Sequence, residues 1–220
     1  MLDTWRTWEL VLPALQRHHD VFAPTLAGHA GGPPLTTLTE DTLADAVEEA
    51  MDAAGLATAA FAGNSLGGYL ALRLAERGRA TAVVALAPAG GWKPGDPHVQ
   101  DVIARQRRRE ISTRDIVCDP SAIPPELLAH IGAGVAACPE VDRLTEAATT
   151  LPWTVHPDRI TCPTRFVWGL EDRLLPYPAA ATRYRAWFPT ADWVELDGVG
   201  HSPQLDTPLE TAQLILGFTA

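Results

Sequence analysis

The 220-residue chain is 46% hydrophobic and 20% charged, a balance typical of one soluble domain with a substantial core. Its net charge of −10 argues against general binding to nucleic acid or to anionic membranes, and we expect neither as a partner. The three cysteines form no CxxC pair, which predicts reduced thiols rather than a disulfide framework. The sequence contains no apolar run of about 18 residues and no export signal, so we expect a cytoplasmic protein without a membrane span.

The first part of the chain alternates short apolar segments with helical patterns. Residues 20–28 (DVFAPTLAG) predict a buried strand that runs into a glycine-rich loop, and residues 38–54 predict a helix. A second strand follows at residues 57–63, then a helix at 66–77 and an apolar strand at 80–88. This alternation indicates an α/β fold with a mostly parallel sheet flanked by helices.

The alternation stops at residue 91 and resumes at residue 158. Helical patterns at 99–110, 125–137 and 139–150 are separated by prolines and contain no strand signal, which predicts a small helical lid. Strand, helix, strand and helix then follow at 162–169, 177–188, 191–198 and 208–218. We therefore divide the chain into core residues 1–90 and 158–220 and a lid at 91–157. The basic run at 105–110 most often marks a solvated helix face.

A serine stands at the junction between the predicted strand 57–63 and the helix after it. The sequence Gly63-Asn64-Ser65-Leu66-Gly67 fits G-x-S-x-G, the nucleophile elbow. Small residues on both sides permit a turn sharp enough to expose the serine oxygen. The positive end of the following helix is directed at that oxygen.

A serine hydroxyl needs a base to accept its proton and an acid to orient that base. His201 is the best-placed base, because its glycine-flanked loop follows the last strand. Asp172 directly follows a strand end and is preferred to its neighbour Glu171. His29 is plausible near the site, but nothing in the sequence brings it beside the serine. The order Ser65, Asp172, His201 is the one that this architecture requires.

These motifs give the chain a clear resemblance to the lid-bearing α/β-hydrolases, which include esterases, lipases, carbon–carbon bond hydrolases, perhydrolases and thioesterases. The resemblance runs nearly end to end and rests on GNSLGG, GLEDRLLP and GVGHSPQLDTP. It implies that Ser65 is the nucleophile, His201 the base, Asp172 the orienting acid and the Leu66 N–H an oxyanion-hole donor. It implies no metal and no cofactor, and a serine at this position argues against the aspartate-dependent haloalkane dehalogenases.

The chain departs from the family pattern at its beginning, MLDTWRTWEL. The pattern has earlier strands, one of which ends in His-Gly and precedes the second oxyanion donor, and we expect these strands to be missing. A fragment, a start codon assigned too late, or a five-stranded sheet with an impaired site would each explain this. Because the triad motifs are intact, we favour a shortened chain.

We expect a cofactor-free serine hydrolase acting on a small, mostly apolar ester or related carbonyl substrate. Trp92 and Trp153 suggest an apolar site, although either could belong to the core of the lid. A carbon–carbon bond hydrolase is the second choice, slightly favoured by Asn64 in the elbow. A non-catalytic member that binds a ligand or a protein partner is the alternative from another class.

Overall fold

A computed structural model describes residues 2–219 and contains a four-stranded parallel sheet. Its strands, in order across the sheet, are β1 (Ala59–Asn64), β2 (Ala80–Leu86), β3 (Thr164–Gly169) and β4 (Asp192–Leu196). The last residues of β1 and β2 lie side by side, and so do the last residues of β3 and β4. The carboxyl ends of all four strands therefore meet at one edge of the sheet.

Helices cover both faces of this sheet and fill the segment between β2 and β3. Those before β3 are α1 (Leu12–Leu15), α2 (Glu40–Ala53), α3 (Leu66–Glu76), α4 (Pro97–Arg107), α5 (Thr113–Ile116), α6 (Pro125–Ala136) and α7 (Val141–Thr150). Those after β3 are α8 (Thr182–Trp187), α9 (Pro203–Asp206) and α10 (Pro208–Thr219). No helix within residues 2–219 has the length and apolar character needed to cross a bilayer.

The sheet separates two apolar layers because alternate residues of a strand point to opposite faces. Val83 and Ala85 of β2 pack into the larger cluster, with side chains of α2, α3 and α8. Val84 and Leu86 face the other way and pack against α1 and α10. All four residues are fully buried, which explains why β2 is apolar from Ala82 to Leu86.

The predicted α/β architecture, a parallel sheet flanked by helices, is confirmed, and most of the predicted elements occur at their expected positions. The predicted strands at 57–63, 80–88, 162–169 and 191–198 correspond to β1, β2, β3 and β4, and the predicted helix at 66–77 corresponds to α3. The helix predicted at 177–188 is shorter than expected, because a 3-10 turn at Ala179–Ala181 precedes α8. Within residues 2–219 the sheet has four strands, so the expected count of five strands is wrong.

The strand predicted at residues 20–28 is wrong. These residues belong to no strand, and Phe22 is exposed rather than buried. The physical reason is the lack of a partner: residues 20–24 and all of β1 line one cavity, and no backbone hydrogen bond joins residues 20–28 to β1. An apolar segment becomes a strand only where another strand can pair with it.

The segment predicted as a lid contains α4, α5, α6 and α7, and its two ends meet against the core. Trp92, near its start, packs edge-on against Trp153, near its end, with ring centroids 5.5 Å apart. Trp153 also packs edge-on against Tyr69 of α3 at 4.9 Å. In the basic run, Arg105 pairs with Asp115, as expected for a helix face rather than a binding site.

The turn between β1 and α3 is tight and places Ser65 in an unusual backbone conformation. Ser65 has φ of +55° and ψ of −116°, a region that costs a non-glycine residue on the order of 1–3 kcal/mol. Gly63 lies so close to the first turn of α3 that a Cβ atom would stand 2.3 Å from the Gly67 carbonyl oxygen. A side chain at position 63 is therefore incompatible with the turn.

We predict that Gly63→Ala lowers the melting temperature by roughly 5–10 °C, because relieving this backbone clash costs a few kcal/mol. Gly67→Ala is the matched control, since a Cβ there meets nothing within 4 Å and its position is helical. The control should equal or slightly exceed the wild type. Equal melting temperatures for the two variants, measured by differential scanning calorimetry, would contradict the turn geometry.

Candidate active site

A cavity of about 860 Å³ lies at the carboxyl-terminal edge of the sheet and extends along β1. Ser65, Leu66 and His201 are among the residues that line it. Apolar side chains from the inserted helices form part of its wall: Ile103, Leu128, Ile131, Val135 and Ala148. Its size lies within the range of small-molecule sites in proteins, about 300–1,000 Å³.

Ser65 is fixed by its backbone rather than by its side chain. Its N–H donates to the Leu86 carbonyl at 2.9 Å, and its own carbonyl accepts from Ala89 N–H at 2.9 Å. The residue is 4% exposed, and its hydroxyl makes no capping bond to α3. The hydroxyl is therefore free to interact within the cavity while the backbone is clamped to the end of β2.

His201 and Asp172 form a buried hydrogen-bonded pair. His201 Nδ1 lies 2.8 Å from Asp172 Oδ2, and both residues are 3% exposed. The other carboxylate oxygen accepts from the backbone N–H groups of Leu174 at 2.9 Å and Leu175 at 2.8 Å. Because a carboxylate only accepts, Nδ1 carries the proton when the ring is neutral, which leaves Nε2 able to take one up. Glu171 is exposed and takes no part.

The loops that carry these two residues are held together by their backbones. A Cβ atom at Gly169 would lie 2.2 Å from the Val199 carbonyl oxygen, so only glycine permits this approach. Glu171 N–H donates to the same carbonyl at 2.9 Å. On the other side, Gly200 N–H donates to Asp206 Oδ2 at 2.7 Å. The position of His201 relative to Asp172 is thus set by several independent contacts.

Ser65 and His201 line the same cavity, but the structure contains no hydrogen bond between the serine hydroxyl and the imidazole within residues 2–219. Catalytic hydrogen bonds are often long or poorly aligned until substrate binds. The three residues of the predicted triad are therefore assembled as one buried pair plus a serine facing the same space.

Asn64 has a structural role that the sequence did not reveal. Its side-chain N–H₂ donates to the His201 carbonyl at 2.8 Å and to the Leu86 carbonyl at 3.1 Å. Its side-chain oxygen accepts from Gln204 Nε2 at 3.2 Å and lies 3.4 Å from the Ser202 hydroxyl. One amide thus connects the serine turn, the end of β2 and the histidine loop. An asparagine next to the serine was the only signal in the sequence.

Leu66 is the first residue of α3, and its N–H lies in the first helical turn, where backbone donors have no acceptor within the helix. Leu66 directly follows Ser65 in the chain, and both residues line the cavity. It can therefore donate to an anion formed beside Ser65. Gly63 and Gly67 flank the turn as predicted for the elbow.

Two of the remaining six histidines, His19 and His29, also line the cavity. His29 is 2% exposed, a burial that the sequence could not reveal. His19 bonds to the Thr219 hydroxyl, and His98 to the Arg173 carbonyl. In the described part of the chain, no three His, Cys, Asp or Glu side chains converge as they would around a metal ion.

Comparisons with known proteins agree with this fold. The chain matches the Alpha/beta hydrolase family over residues 3–214. It is 31% identical over 203 residues to epoxide hydrolase EphH of Mycobacterium tuberculosis, covering 82% of this chain and 95% of that protein.

Solved structures of more distant proteins share the fold. A carboxylesterase, CesB from Bacillus subtilis, superposes with a TM-score of 0.82 at 23% identity, covering 99% of this chain and 80% of that one. A meta-cleavage product hydrolase from Pseudomonas fluorescens gives 0.78 at 20% identity, covering 98% and 85%. The fold, the extent of the family match and the 31% identical relative together establish that the chain belongs to the alpha/beta hydrolase family.

Proposed function

We propose that the chain is a serine hydrolase in which Ser65 is the nucleophile, His201 the general base and Asp172 the acid that orients it. The observation that carries this proposal is the buried 2.8 Å hydrogen bond between His201 Nδ1 and Asp172 Oδ2, at the wall of a cavity that Ser65 also lines. A histidine with only a structural role would not require both a buried carboxylate bonded to one ring nitrogen and a substrate-sized cavity beside the ring. Such an arrangement is typical of nucleophile activation.

The proposed reaction on an ester proceeds in two halves. Ser65 Oγ bonds to the substrate carbonyl carbon as its proton passes to His201 Nε2, and the Leu66 N–H donates to the oxyanion that forms. Collapse of this intermediate breaks the bond to the leaving alcohol, which takes the proton from His201. Water then attacks the acyl-enzyme with His201 again as base, releasing the acid and restoring Ser65. Asp172 stabilises the imidazolium in both halves.

A carbonyl substrate suits this site better than an epoxide, although one relative is named an epoxide hydrolase. Attack by a serine oxygen on an epoxide carbon would give an ether. An ether has no carbonyl carbon that water could attack, so the serine would not be released. Epoxide opening also needs an acid near the departing oxygen, and none of the three tyrosines lines the cavity. The Tyr69 and Tyr184 hydroxyls are instead bonded to the Thr154 and Ala89 carbonyls.

Small, mostly apolar carboxylic esters are the proposed substrates, because aliphatic side chains dominate the cavity wall. At the level of the sequence, Asn64 was a weak argument for the second choice, carbon–carbon bond hydrolysis. That argument loses its support, since both ends of the Asn64 amide are occupied by protein partners. We further propose that the segment 91–157 acts as the lid and that the protein works in the cytoplasm without a cofactor.

We predict that a fluorophosphonate probe labels the wild-type chain at Ser65, detected as an adduct by mass spectrometry. Ser65→Ala should abolish labelling, and His201→Ala should slow it by at least about 10³-fold, because the serine loses its base. Circular dichroism of each variant controls for folding. A folded wild-type chain that is never labelled would rule out the serine mechanism and favour the ligand-binding alternative.

We also predict hydrolysis of 4-nitrophenyl butyrate and no turnover of styrene oxide by the same preparation. An acyl-enzyme can form only from a substrate that contains a carbonyl group. The ester contains one, whereas the epoxide contains none. Formation of the diol from styrene oxide, detected by chromatography, would contradict the proposed substrate class. If that activity also persisted in Ser65→Ala, the nucleophile would have to be another group.

Asn64 is proposed as a positioning residue for the His201 loop. We predict that Asn64→Ala lowers kcat for 4-nitrophenyl butyrate by about 10- to 100-fold with little change in KM, because a small displacement of the base is enough for such a loss. Ser202→Ala is the matched control, since it removes only the 3.4 Å contact to the same amide and should stay near wild type. Wild-type kcat in Asn64→Ala would exclude this role.

A further inference from the structure

His29 is a buried histidine at the cavity wall that the proposed mechanism does not use. It is 2% exposed and lines the same cavity as Ser65, Leu66 and Trp92. His29 also lines a second cavity of about 450 Å³, formed by its own loop together with Ala137, Pro139 and Glu140. A buried polar ring usually has all its hydrogen-bonding atoms satisfied, so the surroundings of its two nitrogens are informative.

One ring nitrogen is satisfied by the protein and the other is not. Nδ1 lies 3.1 Å from the Ala27 carbonyl oxygen, which can only accept, so Nδ1 must carry a proton. Within residues 2–219 the His29 ring makes no other hydrogen bond, and Nε2 is not among the fully buried unpaired polar atoms, so a water-sized group can reach it. Burial lowers the pKa of His29 below its usual value, which keeps the ring neutral and leaves Nε2 as an acceptor.

The loop that carries His29 is held firmly enough to aim the ring. Gly28 N–H donates to the Pro33 carbonyl at 2.9 Å, and Gly32 N–H donates to the His29 carbonyl at 3.0 Å. The Gly28 carbonyl lies 3.4 Å from the Cys138 sulfur, at the end of the inserted helices. A side chain on such a closed loop is suited to recognition, because little freedom is lost when it binds.

We infer that His29 Nε2 accepts a hydrogen bond from a hydroxyl group of the substrate, so that the substrates are esters bearing a hydroxyl group away from the scissile bond. This inference rests on the proposed serine hydrolase function and narrows its substrate class. A carboxylate cannot donate to Nε2, and an ammonium would be costly to bury against aliphatic walls. A hydroxyl supplies the donor without a charge.

The test uses Ser65→Ala, so that binding is measured without turnover, and three small probes that differ in one feature. Phenol donates a hydrogen bond, anisole only accepts one, and toluene does neither. We expect phenol to bind about tenfold more tightly than anisole or toluene. In long-range ¹H–¹⁵N spectra of the imidazole, phenol should shift the His29 Nε2 resonance while anisole leaves it unchanged.

Contacts from phenol to the methyl groups of Leu66 and Leu70, seen as intermolecular NOEs, would locate it in the larger cavity, because both residues line only that one. His29→Phe, in the same Ser65→Ala background, should abolish the preference for phenol. His29→Gln, whose amide oxygen can accept, should retain part of it. His130→Phe is the matched control, since His130 is exposed on α6.

Equal affinity for phenol and anisole, an Nε2 resonance that phenol does not move, or a preference that survives in His29→Phe would each overturn the inference. So would an ¹⁵N pattern with the proton on Nε2, or phenol NOEs confined to the smaller cavity. These outcomes are separate from those for the serine mechanism, which the fluorophosphonate experiment tests on wild-type protein. If Ser65 were not labelled, the binding of phenol at His29 would still hold. Only its interpretation as selection of a substrate would be lost.

Discussion

The parallel register of the four strands determines where every proposed catalytic group lies. Asn64, Leu86 and Val167 are neighbours across β1, β2 and β3, and Gly169 is opposite Leu196 in β4. Because parallel strands end on the same side, the loops after β1, β3 and β4 are brought together without long connections. The serine turn and the loops of Asp172 and His201 are those three loops. The site is therefore a consequence of the sheet rather than of the inserted helices.

Burial of the polar groups at this edge is tolerable because nearly all of them have partners. The Asp172 carboxylate accepts three hydrogen bonds, and the Asn64 amide makes contacts at both ends. An unpaired polar atom in the same place would cost on the order of 1–3 kcal/mol. Gln204 Oε1 is the buried atom of this network without a partner in the described part of the chain. The remaining contacts leave few alternative arrangements, so they also hold His201 in one orientation. The contacts that stabilise the fold here are those that the proposed chemistry requires.

The sequence predicted what depends on local signals and missed what depends on distant neighbours. The helix and strand patterns around Ser65 are local, and so is the strand-end position of Asp172. The segment 20–28 has an apolar pattern like that of β2, but the pattern cannot report that no described strand pairs with it. The burial of His29 and the four contacts of Asn64 likewise depend on residues far away in the chain. Gln204 lies 140 positions from Asn64, and no spacing rule connects the two.

The cavity has two kinds of wall, and this sets what can fill it. The flanking helices contribute aliphatic side chains, whereas all six residues of β1 line the cavity and pair with no strand other than β2 within residues 2–219. A strand edge presents backbone N–H and C=O groups, which bond to another strand, to water or to a ligand. His29 Nε2 adds a polar acceptor beside the aliphatic surface. A purely hydrocarbon chain would leave this acceptor unpaired, whereas an apolar ester with a hydroxyl group matches both the aliphatic side chains and the imidazole.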